Sequence, residues 1–176
     1  MARTHERTSA RRCAAQILYT GTIRDCSASD LLNSGGVDCI EGLVSDYALM
    51  LVNGVEERMD ELDERLSSIS KNWSVSRMPI MDLAILRIAL YEMLYVEEVP
   101  LSVSINEAVE MAKFFGGDDD SPKFVNGMLG NVARQIEDAE NASDDSVCAD
   151  ASDTSASIED TSAEDVDGNE LQGEQE

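Results

Sequence analysis

Near the start of the chain, Arg12, Gln16 and Tyr19 recur at helical spacing. On a helix turning ~100° per residue they line up as one stripe. Arg neutralises phosphate, Gln bonds a base edge and Tyr stacks on a base, so the trio suits RNA. It suits equally a helix surface that meets no ligand. Arg3, Arg7 and Arg11 fall at i, i+4 and i+8, a line of guanidinium groups able to track a phosphate backbone. That line runs close to the Ala14 and Leu18 side, so it needs a helix that overhangs its neighbours; the alternative is a solvated arm. A second cluster is Asp118-Asp119-Asp120-Ser121-Pro122-Lys123-Phe124. Lys123 and the free N–H groups of a helix start could hold a phosphate, which three consecutive Asp would repel. Phe124 lies beside the apolar face, either as a flank of the core or as an exposed stacking ring. Consecutive carboxylates lack the alternate spacing of a calcium loop, so no metal is expected there.

Other chemistries are poorly provided for. His5 is the only histidine, which argues against a zinc site and against His-based catalysis, so no enzyme is expected. Cys13, Cys26, Cys39 and Cys148 contain no Cys-x-x-Cys pair and are expected to be reduced thiols without a special role. No stretch approaches ~20 apolar residues, so no membrane span is expected, and no apolar segment follows the basic start as in a secretory signal. A cytoplasmic protein follows from these expectations. The formal charge of −23 comes from 13 Lys and Arg against 36 Asp and Glu in 176 residues. It is unevenly spread: residues 1–24 hold five Arg and one acid, whereas 137–176 hold 15 acids and no base.

The elements that must position these residues are helical almost throughout. The periodicity predicts a helix over 7–20, a short one over 28–33 before Gly35-Gly36, and a long apolar pattern from Tyr47 to Ile69. Residues 80–96, opened by Pro79, are apolar nearly all round, as in a central buried helix. Its Asp82, Arg87 and Glu92 each then need a partner or an exit to water. Ser104 and Glu107 read as a capping box, and Gly116-Gly117 as a stop. Ser121 and Pro122 read as the cap and first position of the last helix, with Val125, Met128, Leu129, Val132 and Ile136 on its apolar face. Gly54 and Gly127 suit close helix crossings or kinks. The result is an all-α domain of six or seven helices over residues 5–137. Residues 138–176 are read as a disordered acidic tail, either a solubilising appendage or a competitor for the Arg-bearing face.

Ordered motifs then point to a family. Residues 10–19 (ARRCAAQILY), 51–55 (LVNGV), 72–78 (NWSVSRM), 85–92 (ILRIALYE), Val99-Pro100, 105–113 (INEAVEMAK) and 123–129 (KFVNGML) occur in the order and spacing of the NusB family. Across about three quarters of its length the chain resembles these bacterial transcription antitermination proteins. The resemblance implies two packed three-helix bundles and a non-catalytic role: binding boxA RNA together with ribosomal protein NusE, then joining NusA, NusG and RNA polymerase, notably on ribosomal RNA operons. It implies an RNA surface of Arg7, Arg11, Gln16 and Tyr19 with Asp120, Lys123 and Phe124, to which the stripe adds Arg12. It places Asp82 where the family contacts NusE. Some family members form homodimers over the RNA surface, and a related domain is attached to some RNA methyltransferases. Thr8 and Ser9 stand where further basic residues would be, so RNA binding is expected to lean on NusE. The competing reading is a helical protein-interaction module, binding NusE or itself, with weak or lost RNA binding.

Overall fold

Serines set two of the helix starts. Ser27 Oγ accepts from the Asp30 N–H at 3.1 Å, and Ser45 Oγ accepts from the Ala48 N–H at 3.2 Å, each satisfying an N–H that the helix itself leaves open. The computed structural model describes residues 2–37, 39–40, 42, 44–70, 74–116 and 120–147. Among them are seven α-helices and no strand: α1 (Ala2–Arg24), α2 (Ala28–Asn33), α3 (Asp46–Glu57), α4 (Met59–Ile69), α5 (Ile80–Tyr95), α6 (Leu101–Phe114) and α7 (Ser121–Val147). Helices α1, α2 and α3 pack on one another, as do α5, α6 and α7, giving the two three-helix bundles; α1 and α3 also pack against α5, and α4 bridges to α5 and α7.

Helix α5 is the shared centre. Leu83, Ala84, Ile85, Leu86, Ile88, Ala89, Leu90 and Met93 are all buried, so it is covered on every side. Ile17 of α1, Leu51 and Val55 of α3, and Leu129 of α7 are buried in the same core. Each of its three charges has its own partner. Arg87 makes a bidentate pair with Asp63 of α4 at 2.7 and 2.6 Å, Asp82 meets Ser121, and Glu92 meets Arg11.

Several boundaries differ from the sequence-based expectations. The pattern from Tyr47 to Ile69 is not one helix, because Arg58 leaves helical geometry at φ −119°, ψ 21°. The break lets Leu51 and Val55 pack with α1 while Leu62 and Leu66 turn toward α5 and α7. Ser104 lies inside α6, which begins at Leu101 after Pro100, so it caps nothing and serves the core instead. Gly116, at φ +59°, does end α6. Helix α7 runs on to Val147, through the ten residues expected to open the tail; a helix already nucleated by packing propagates cheaply through Ala139 and Asn141. The remainder of the acidic extension, 148–176, lies outside the described residues.

The expectation of unpaired thiols is corrected for two cysteines: Cys13 and Cys39 form a disulfide, Cα atoms 5.2 Å apart, because the chain after α2 returns across α1. Cys26 is a free thiol. Gly127 faces open space and is no crossing point, whereas a Cβ on Gly54 would run into the Tyr91 ring of α5. Gly54→Ala should therefore lower stability by about 1–2 kcal/mol, although alanine is the better helix former by ~1 kcal/mol. Urea unfolding checks this, and a stabilised variant would show that the α3–α5 crossing has room.

Candidate nucleic-acid interface

The arginines of α1 separate by helical phase. Arg12, Gln16 and Tyr19 fall within ~60° of one another, while Arg11 and Arg7 lie ~100–140° away. That rotation sends the two sets to opposite fates.

Arg11 is only 2 % exposed. Its Nε donates to both Glu92 carboxylate oxygens, at 2.8 and 3.0 Å, and its Nη1 lies 3.3 Å from Glu107 Oε2. The Tyr47 hydroxyl and Ser104 Oγ also donate to Glu92, the latter at 3.2 Å. One buried carboxylate thus ties α1, α3, α5 and α6 together. Burial by itself would lower the Arg11 pKa, but the hydrogen bond and charge of Glu92 outweigh it and raise it. Burial, then the hydrogen bond to Glu92 and its charge, push the Tyr47 phenol far above its ordinary value. Arg11 therefore presents no guanidinium to a phosphate, which corrects the expectation of a surface contact. Arg7 is half-buried, paired with Glu98 at 3.0 Å and set 4.8 Å over the Tyr47 ring.

The outer set keeps contact with solvent. Tyr19 is 37 % exposed. Gln16 is half-buried, and its Oε1 accepts the Ile40 N–H at 3.1 Å. The Arg12 guanidinium lies 4.0 Å from the centroid of Phe114, which is 41 % exposed at the end of α6. Phe114 in turn stands edge-on to Phe115, centroids 5.1 Å apart, and Phe115 packs against the core. This stack joins the α1 stripe to the corner where α6 gives way to α7.

At that corner Asp120, not Ser121, holds the N-cap position, its carbonyl accepting the Phe124 N–H at 2.9 Å. Ser121 instead donates its hydroxyl to Asp82 at 2.7 Å. Asp82 is 4 % exposed, so it offers a partner protein no surface and acts by fixing the start of α7. Lys123 Nζ donates to Asp120 at 2.9 Å, both being well exposed; the pairing lowers the Asp120 pKa and raises that of Lys123. Phe124 is half-buried against the core, which favours the core-flank reading. Asp118 and Asp119 lie outside the described residues, as does the Arg3 side chain.

Phe114 escaped the sequence reading. Its signal was adjacency: two successive phenylalanines at a helix end lie ~100° apart, so both cannot face one core. Among the described residues no group of three or more His, Cys, Asp or Glu side chains could hold a metal ion, and no helix is long and apolar enough to cross a membrane.

Comparison with known proteins agrees with this architecture. The family model described as "NusB family" matches residues 8–134. The transcription antitermination protein NusB of Bacillus subtilis (strain 168) is 42 % identical over 132 residues, covering 75 % of this chain and 98 % of that protein. A T. maritima NusB structure superposes with a TM-score of 0.63 at 30 % identity, covering 73 % of this chain and 90 % of that one. A crystal structure of antitermination factors NusB and NusE with double-stranded RNA shares the fold, with a TM-score of 0.61 at 21 % identity, covering 73 % of this chain and 96 % of that one.

Two outcomes follow from the buried cluster. Glu92→Gln, which leaves the buried Arg11 charge with Glu107 as its one remaining carboxylate among the described residues, should cost about 3 kcal/mol in urea unfolding; a loss below ~1 kcal/mol would mean that Glu107 or water takes over the site. Because the folded Tyr47 pKa is raised, its contribution is complete below the unfolded value of about 10 and is lost as pH climbs above it toward the folded value. The stability difference between the wild type and Tyr47→Phe should accordingly hold steady up to about pH 10 and shrink progressively above it, and a constant difference there would refute the coupling.

Proposed function

Since the chain belongs to the NusB family, we propose that it is a transcription antitermination factor that binds boxA RNA together with ribosomal protein NusE and joins NusA, NusG and RNA polymerase, notably on ribosomal RNA operons. It works in the cytoplasm, where nascent RNA is made, and it is not an enzyme: its chemistry is recognition. The observation that carries the site is the Arg12–Phe114 stack, which couples the Gln16 and Tyr19 stripe of α1 to the end of α6, the helix that precedes Lys123 of α7 in the chain. Tyr19 and Phe114 offer ring faces to unstacked bases, Gln16 an amide to a base edge, and Arg12 and Lys123 charge to the backbone. Asp120 orients Lys123, and Phe124 supports the corner from its core side. Arg11 and Asp82 are positioning residues, the first locking α1 and the second locking α7; Arg7 is a peripheral charge shared with Glu98.

The pairing of Arg7 and Arg11 with carboxylates favours a second reading, a NusE-binding module whose RNA contacts have been lost. Titrating labelled boxA RNA with and without NusE separates the two. On the first reading NusE tightens binding at least tenfold. Tyr19→Ala and Phe114→Ala each weaken it about fivefold or more, and Lys123→Ala flattens the salt dependence by about one ion. NusE binding with no RNA binding, or indifference to all three substitutions, would favour the second.

A further inference from the structure

The segment between α2 and α3 is fastened to the face of α1 that carries Gln16. Cys39 is joined to Cys13 through the disulfide. The next residue, Ile40, donates its N–H to Gln16 Oε1 at 3.1 Å, and Arg24 Nη1 donates to the Gly36 carbonyl at 3.3 Å. Cys13 and Gln16 are three residues apart on one helix, so the covalent tie and the hydrogen bond occupy neighbouring positions. Ile40 is 66 % exposed, and among the described residues of this stretch Val37, Cys39 and Val44 pack against the core, each partly buried. The hydrogen bond from Ile40 already occupies the Gln16 carbonyl oxygen, so the tied segment competes with a base edge for that acceptor.

We propose that the Cys13–Cys39 disulfide is a redox latch on the RNA face, an inference that rests on the RNA reading above. Oxidised, it holds Cys39 and Ile40 against the Gln16 side of α1 and weakens RNA binding; reduced, it lets the segment go and binding tightens. The step balances with a dithiol reductant. Its thiolate attacks Sγ of half-buried Cys39, the Sγ–Sγ bond breaks, and Cys13 leaves as a thiolate that takes up a proton. The second reductant thiol then displaces Cys39, so two electrons and two protons reach the protein and the reductant departs as a disulfide. A small-molecule disulfide such as oxidised glutathione reverses the exchange and is itself reduced to two thiols.

The test uses the full-length chain with Cys26→Ser and Cys148→Ser, which removes competing thiols, and fluorescently labelled boxA RNA. After treatment with oxidised glutathione, affinity should be at least threefold weaker than after dithiothreitol. Cys39→Ser should bind like the reduced form in both buffers, and amide exchange across 34–45 should rise on reduction. If Cys39→Ser does not fold, reduced protein capped with iodoacetamide takes its place. Equal affinities, or tighter binding by the oxidised form, overturn the latch and leave the RNA reading intact. Alkylation of both Cys13 and Cys39 after glutathione treatment overturns it as well. Absence of RNA binding in every form, with NusE present, overturns the RNA reading and the latch with it.

Discussion

A guanidinium does not lose its proton inside a protein, and that of Arg11 has almost no contact with water. Such a charge is tolerable only where carboxylates and further donors meet it in good geometry. Glu92 does so while accepting from Tyr47 and Ser104 at the same time. Since these partners come from four different helices, none can slide or rotate without leaving a buried charge unmatched. The net stabilisation from such a cluster is modest, because desolvation consumes most of the Coulomb gain. Its consequence is registration: α1 is held in one rotation about its axis against α3, α5 and α6. That rotation decides which of its residues meet solvent.

The same rotation divides the arginines. Arg11 and Arg12 are neighbours in sequence, yet ~100° of helix turn sends one into the core and the other onto the Phe114 ring. Arg11 is lost as a ligand and gained as an anchor. A stripe fixed in this way has little ordering left to do on meeting any ligand, which conserves binding free energy that a mobile arm would spend. Asp82 plays the matching part at α7, where its bond to Ser121 sets the direction in which Lys123 emerges.

Much of this architecture was legible from local pattern. The all-round apolar character of α5 announced a central helix, and its three charges announced three partners. Gly54 announced a close crossing. What pattern does not carry is the identity of distant partners: Glu92 meets Arg11 across 81 residues, and no periodicity encodes that meeting. Ser104 shows the cost. Its spacing to Glu107 fits a capping box, but α6 starts three residues earlier and the hydroxyl turns inward to Glu92. Arg58 is a similar case, since the apolar repeat continues across a break that only the competing packing surfaces require. Of the candidate site, the Gln16 and Tyr19 positions were readable from phase, while the burial of Arg11 and Asp82 and the exposure of Phe114 were not.

Net charge misleads about what such a surface can bind. At physiological ionic strength charges more than ~8 Å apart are largely screened, so a charge summed over the whole chain does not decide the potential over α1. Local groups do, and they nearly cancel: Lys123 is shared with Asp120, Arg7 with Glu98, and Arg12 lies over an aromatic ring. A face of this kind can read bases by stacking and hydrogen bonding, but it offers little phosphate neutralisation to hold a strand in place. A surface built in this way depends for electrostatic attraction on groups outside it, and it is correspondingly sensitive to any charged segment brought near it.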